Sequence, residues 1–177
     1  MQWVYILTGF IHDLSVAVYL GGAVAMEFIL APAQKAIPPA QAQIMGEKTS
    51  QRFLILVWVS LILILITGIG RLYFKGMIGG PSFFSAPLTF DYSYGKTAFS
   101  LFVIWVVLMI NGALITFLFR PRLTGRMTAG VSKDQASQSR DSMMSAATWV
   151  ERLTRIDLGL AVLAAFLGAS LIWGGAL

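Results

Sequence analysis

The stretch FLILVWVSLILILITGIGRLYF, residues 53–74, decides the fold. It is an uninterrupted apolar run with a single charged residue, Arg71, close to its end. A helix needs about 20 mostly apolar residues to cross the hydrocarbon layer of a membrane, and this run supplies them. We therefore predict a membrane-spanning helix over residues 53–74.

Three runs of the same kind lie on either side of it, at residues 3–31, 97–119 and 153–173. All are continuous, whereas the strands of a membrane barrel alternate between apolar and polar residues. The sequence therefore predicts an all-α integral membrane protein, a four-helix transmembrane bundle that forms a single domain over residues 1–177. The polar segment of about residues 120–152 would connect the third and fourth helices.

The composition supports a membrane location and limits the partners. Of the 177 residues, 57% are hydrophobic and 12% are charged, whereas a soluble domain is about 25% charged. The absence of cysteine excludes disulfides and thiolate metal sites. The net charge of +5 suits anionic lipid headgroups. No basic stripe alternates with aromatic residues, so we expect the lipid bilayer, and not nucleic acid, as a partner.

Lysine and arginine are distributed unevenly among the connections. The second connection and its flanks carry Arg71, Lys75 and Lys96. The first and third connections, with their far edges, carry Lys35, Lys48, Arg52, Arg120, Arg122, Arg126, Lys133, Arg140, Arg152 and Arg155. Because positive loops stay in the cytoplasm, we expect these two connections inside and both termini outside.

The connections themselves carry local signals. The prolines at Pro32, Pro38 and Pro39 predict the end of the first helix and a second helix that begins near Ala40. In the second connection, glycine and proline exclude a long helix. Its aromatic residues favour a belt at the membrane surface, with a lid over an outer cavity as the alternative. They are Phe83, Phe84, Phe90, Tyr92 and Tyr94.

Two further patterns concern the fourth helix. Ser132 followed by Gln135 resembles a capping box, which predicts a helix that runs through Trp149 into the fourth span. Small residues three or four positions apart let helix backbones approach closely. They occur at Ala17, Gly21 and Ala25 of the first helix and at Gly159, Ala161, Ala164, Ala165, Gly168 and Ala169 of the fourth. We therefore expect the first and fourth helices to be the closest pair.

Ionisable residues inside a membrane are costly and often functional, and the first helix has three: His12, Asp13 and Glu27. Asp13 lies about 100° around the helix from His12, so it would seek a cation on a neighbouring helix, Arg71 or Lys96. Glu27 would pair with an arginine, Arg52 or Arg155, at the inner end. Thr67 and Asn111 are expected to hydrogen-bond between helices.

His12 is the only histidine of the chain, and this excludes a site built from several histidines within one chain. It shares a small and polar helix face with Tyr5, Gly9, Ser15, Tyr19 and Met26, so it should face the bundle interior. A neutral imidazole there would ligate a metal or haem iron, relay a proton, or hydrogen-bond a neighbour. The intramembrane Met26 and Met109 fit packing better than a copper path.

Several motifs resemble those of two related membrane protein families. They are H-x6-Y-L-G-G from His12 to Gly22, Ala31-Pro32, Arg52-Phe53, I-T-G at residues 66–68, Y-G-K at 94–96 and F-R-P-R-L at 119–123. Over the first three helices the chain resembles the CopD copper-resistance family and the HemJ-type protoporphyrinogen oxidases. Tyr19 stands where those families usually place tryptophan.

The resemblance implies a function. In HemJ-type enzymes the histidine of the first helix and a lysine that opens the third are linked with binding of haem b. CopD proteins are associated with copper uptake across the inner membrane. The resemblance therefore implies a ligand at His12, with Lys96 nearby, in the inner (plasma) membrane of a bacterium.

Physical chemistry favours haem b, because copper passage needs several soft or imidazole ligands along a path. His12 would be the axial ligand, and Arg71 and Lys96 would receive the propionates. Lys96, Met26, water or a second protomer would supply the sixth ligand. Electron transfer or porphyrin oxidation would follow. Copper transport is the alternative. A third reading is an accessory subunit without enzymatic activity, in a homo-oligomer or a larger membrane complex.

Overall fold

The computed structural model describes residues 2–80, 83–84, 86–119 and 133–177. Four helices in this part of the chain are long and apolar enough to cross a membrane, and this agrees with the predicted four-helix bundle. We call them the first to fourth spans. They are Gln2–Lys35, Ile44–Phe74, Ser93–Phe119 and Met144–Trp173.

The first span is longer than the sequence suggested. The α-helix Gln2–Ala25 passes into a π-helical segment, Met26–Leu30, and then into a helical turn, Ala31–Lys35. The expectation that Pro32 stops the helix was wrong, because Pro32 is part of the helical turn Ala31–Lys35, which follows a wider π-helical turn. The second helix, Pro39–Phe74, begins one residue before the predicted Ala40.

The third and fourth spans differ in the helical segments that adjoin them. The third is an α-helix, Ser93–Ala113, that ends in a π-helical segment, Leu114–Phe119. The fourth belongs to one continuous helix, Lys133–Ser170, followed by a 3-10 turn, Leu171–Trp173. This agrees with the predicted helix through Trp149, so part of the expected 120–152 connection is helical. Ser132, the other half of the capping box, lies outside the described residues.

The second connection contains a short antiparallel hairpin, β1 (Ile78–Gly80) with β2 (Phe83–Phe84), and a 3-10 turn, Ala86–Leu88. Phe90 and Tyr92 are exposed, as either a belt or a lid would require. Tyr94 is half-buried, with the Lys75 ammonium 5.7 Å from its ring centroid. The side chains of Phe83 and Phe84 lie outside the described part.

Both termini lie at the end of the bundle where the second span finishes and the third begins. Arg71 contacts Asp13 there, and the backbone N–H groups of Ala176 and Leu177 donate to Thr97 Oγ1. We call this the terminal end, and the opposite end the loop end. Which end faces the cytoplasm stays a prediction.

The most extensive packing of the first span is against the second. The expectation that the first and fourth spans form the closest pair was therefore wrong. Glycines of the first–second contact receive side chains: Phe53 lies over Gly22, and His12 lies over Gly68. Gly21, which was expected to face the fourth span, is exposed, and a Cβ there would meet nothing within 4 Å.

The core is small and the outer surface is apolar. Tyr19, Leu61 and Leu108 are central members of the buried cluster. Indole groups connect the spans: Trp105 Nε1 donates to the Leu61 carbonyl at 2.9 Å, and Trp58 Nε1 donates to Thr116 Oγ1 at 3.2 Å. Large apolar side chains cover the outside of all four spans, an arrangement that water would oppose and lipid would stabilise.

Candidate functional site

The hydrogen bonds around His12 define which of its ring nitrogens carries the proton. His12 Nδ1 lies 2.9 Å from Thr67 Oγ1 of the second span. The Thr67 hydroxyl has one proton, and it donates that proton to the Leu63 carbonyl one turn earlier. We therefore assign Nδ1–H as the donor to Thr67 Oγ1, and this assignment leaves the lone pair of the neutral ring on Nε2. This contact agrees with the expectation that Thr67 hydrogen-bonds between helices.

The imidazole packs against the second span beside Gly68. A Cβ on Gly68 would lie 3.4 Å from His12 Cε1. On the first span, Ser15 and Tyr19 of the same face are buried, so this face is directed into the bundle as predicted. Gly9, one turn from His12, is half-buried, and a Cβ there would meet nothing within 4 Å.

Arg71 lies at the same end of the bundle but is already paired. Its Nη1 donates to Asp13 Oδ1 at 3.1 Å, so the expectation that Asp13 seeks a cation on a neighbouring helix is confirmed. The Asp13 side chain is 72% exposed and that of Arg71 is 31% exposed. The pair therefore sits at the rim of the terminal end, and any anion that binds Arg71 shares it with Asp13.

Lys96 is in the first turn of the third span and is exposed. The third span packs mainly on the fourth and the second spans, and the first span packs on the second and the fourth. The structure thus brings His12 and Arg71 to one seam between the first and second spans. Lys96 belongs to the same end of the bundle, and no contact between it and His12 occurs among the described residues.

His12 and Arg71 are the groups of this seam that could hold a metal or a cofactor. Nε2 offers a lone pair, Gly9 adds no side chain to this face, and Arg71 provides a cation at the rim. In contrast, the described residues contain no group of three or more histidine, cysteine, aspartate or glutamate side chains that would hold a metal ion. Met26 is 14 residues from His12, about 21 Å along the helix.

The sequence analysis missed a second polar contact, deep in the bundle. Asn111 Nδ2 of the third span donates to Asp157 Oδ1 of the fourth at 2.7 Å. Asn111 was expected to bond between helices, but its partner was not foreseen. The signal was present, because Asp157 is a carboxylate inside the apolar run 153–173, and such residues are costly and mark functional positions.

Charged residues also meet at the loop end. Arg155 Nε donates to Glu27 Oε1 at 2.8 Å, and its Nη2 donates to Glu151 Oε1 at 2.6 Å. Of the two partners expected for Glu27, the structure selects Arg155. The side chain of Arg155 is 59% exposed, and a bridge of this kind contributes little to stability.

Comparison with known proteins adds no relative to this description. No family model matches the chain, and neither a curated protein nor a solved structure is significantly similar to it.

Proposed function

We propose that the protein is a membrane-embedded haem b-binding protein with His12 as an axial ligand. It would serve electron transfer or porphyrin-linked redox chemistry. The observation that carries this proposal is the hydrogen bond from His12 Nδ1 to Thr67 Oγ1, which leaves Nε2 as the nitrogen with a free lone pair.

That arrangement is the one that metal-ligating histidines use. They almost always donate their other ring N–H to an acceptor, which fixes the tautomer and the ring orientation and makes the ligating nitrogen more basic. Thr67 does this from a neighbouring span, and Gly68 lets the ring lie against that span. The imidazole is therefore held before any ligand arrives, so binding would cost little side-chain entropy.

The remaining parts of the site would hold the edges of the macrocycle. Gly9 adds no side chain to the His12 face. Arg71 and Lys96 are at the terminal end, where propionates would leave the hydrocarbon layer and meet cations. Bound haem b would supply one-electron redox chemistry, and this chain's residues would set its orientation and exclude water.

The test is the visible absorption spectrum of the protein purified from cells supplied with haem. We expect a Soret band in the wild type and its loss in His12→Ala. Thr67→Val is the matched control, because it keeps the ligand and removes only its hydrogen-bond partner; it should keep the band with a shifted reduction potential. Circular dichroism would show that both variants remain helical. A wild type without a Soret band, or a His12→Ala variant that keeps it, would contradict the proposal.

A further inference from the structure

Asp157 is a carboxylate at an unusual depth in the bundle. It precedes Trp173, the end of its span, by 16 residues, and Asn111 follows Ser93 by 18. At 1.5 Å per residue these positions are about 24 and 27 Å from the terminal end. The hydrocarbon layer is about 30 Å thick. Measured from the terminal end, the contact between the two side chains therefore falls within that thickness, towards its loop-end limit.

Asp157 has a polar partner, Asn111, and lies next to the buried apolar cluster. Asn111 Nδ2 donates to Oδ1. Tyr19 of the first span is buried. Tyr19 packs in the same core cluster as Leu108 and Ala161, which are one turn from Asn111 and Asp157 respectively. Three spans therefore meet at this carboxyl group.

No cation reaches Asp157 from the spans packed against its own. The third span has no charged residue over positions 97–119, and the first has none between Asp13 and Glu27. On its own helix the nearest cation is Arg155, which is bonded to both Glu27 and Glu151. Among the described residues, no ion pair includes Asp157.

An ionised carboxylate in this position would be expensive. Transfer of an ionised group from water to a protein interior costs on the order of several kcal/mol. Here no opposite charge offsets that cost. A neutral carboxylic acid avoids it, because it needs only hydrogen bonds, and the amide of Asn111 can both donate and accept them. The neutral form thus fits the site and the ionised form does not.

We propose that Asp157, hydrogen-bonded to Asn111, is an intramembrane proton-binding site. The proton is carried on the carboxyl group, and it leaves when the O–H bond breaks and water or another carboxylate accepts it. The path of the proton to the loop end is short, because Arg155, Glu27 and Glu151 form a polar group there. Arg155 is only two residues, about 3 Å of helix rise, from Asp157. This inference does not depend on haem.

Infrared spectroscopy of the purified protein in lipid tests the site. The wild type at neutral pH should show the C=O stretching band of a protonated carboxylic acid, and the band should shift in D2O. Labelling aspartate with 13C at the side-chain carboxyl should move the band, whereas labelling glutamate in the same way should not. This arm needs no variant, so a folding defect cannot obscure it.

Two variants then assign the band to one residue. Asp157→Asn should abolish it. Asp13→Asn is the matched control, because Asp13 is exposed and paired with Arg71, and it should leave the band unchanged. An absent acid band at neutral pH would overturn the proposal, as would a band that moves with glutamate labelling or survives Asp157→Asn. If the Asp157 carboxylate stays ionised and binds sodium instead, the acid band will be absent at neutral pH.

Discussion

The ring of Phe53 lies directly over Gly22, so that a Cβ on Gly22 would approach Phe53 Cε2 to 2.8 Å. The same seam continues along the first and second spans, where Gly68 receives His12 and Gly70 receives Thr8, with a Cβ on Gly70 3.3 Å from Thr8 Cγ2. Glycines on both helices thus bring the two backbones together. The seam is what holds the His12 ring against Thr67.

The adjacent glycines Gly21 and Gly22 give a matched pair for testing this seam. Gly22→Leu should destabilise the protein by about 1–3 kcal/mol, because overpacking forces the neighbouring ring to move. Gly21→Leu should change stability by at most about 0.5 kcal/mol, since the added side chain meets only lipid. Thermal unfolding in detergent measures both. Equal losses in the two variants would show that the spans do not pack through Gly22.

Small-residue spacing predicted close packing of the first span through Gly21 against the fourth, and not the seam at Gly22, Gly68 and Gly70. Small-residue spacing shows which helix faces permit close approach, and it does not show which helix fills them. The first span carries Gly21 and Gly22 side by side, and only Gly22 meets a partner, because Phe53 on the second span supplies a side chain of the right length. A short connection between the first two spans also keeps them adjacent.

Thr97 provides a second test, at the terminal end. It is completely buried, and its hydroxyl accepts from the N–H of Ala176 at 3.1 Å and from that of Leu177 at 3.3 Å. Thr97→Val keeps the shape and removes the acceptor, so we expect a loss of about 1–3 kcal/mol in stability. Thr97→Ser keeps the hydroxyl and should recover part of the loss. Indistinguishable melting curves for the two variants would show that this contact does not anchor the C-terminus.

The Asp13–Arg71 pair should contribute far less. Its carboxylate is largely exposed, and exposed pairs contribute about 0–1 kcal/mol. A double-mutant cycle with Asp13→Asn and Arg71→Gln should therefore give a coupling free energy within that range, and it should fall as salt is added. A coupling of several kcal/mol that is insensitive to salt would mean that the pair is shielded from water.

The orientation can be tested without removing any native cysteine, because the chain has none. Asp91→Cys at the terminal end should react with a membrane-impermeant maleimide in intact cells. Gln41→Cys at the loop end should react only after the membrane is permeabilised. Both positions are exposed. The opposite labelling pattern would place the arginine-rich connection outside and refute the positive-inside prediction.

The candidate site shows how far sequence reasoning reached. The polar face of the first span placed His12 toward the bundle, since facing direction follows from helix periodicity alone. The tautomer did not follow from the sequence, because it depends on where the Thr67 hydroxyl sends its proton. Asp157 was within reach, as a lone carboxylate in an apolar run, but its contact with Asn111 depends on how the third and fourth spans align.

The most direct measurement of the central claim is electron–nuclear double resonance on the haem-loaded protein. The chain has a single histidine, so 15N-labelled histidine reports on His12 alone. With the label at Nε2, we predict a strong hyperfine coupling between the ligating nitrogen and the iron. With the label at Nδ1, which is hydrogen-bonded to Thr67, the coupling should be far weaker. Strong coupling at Nδ1, or none at either nitrogen, would contradict the account.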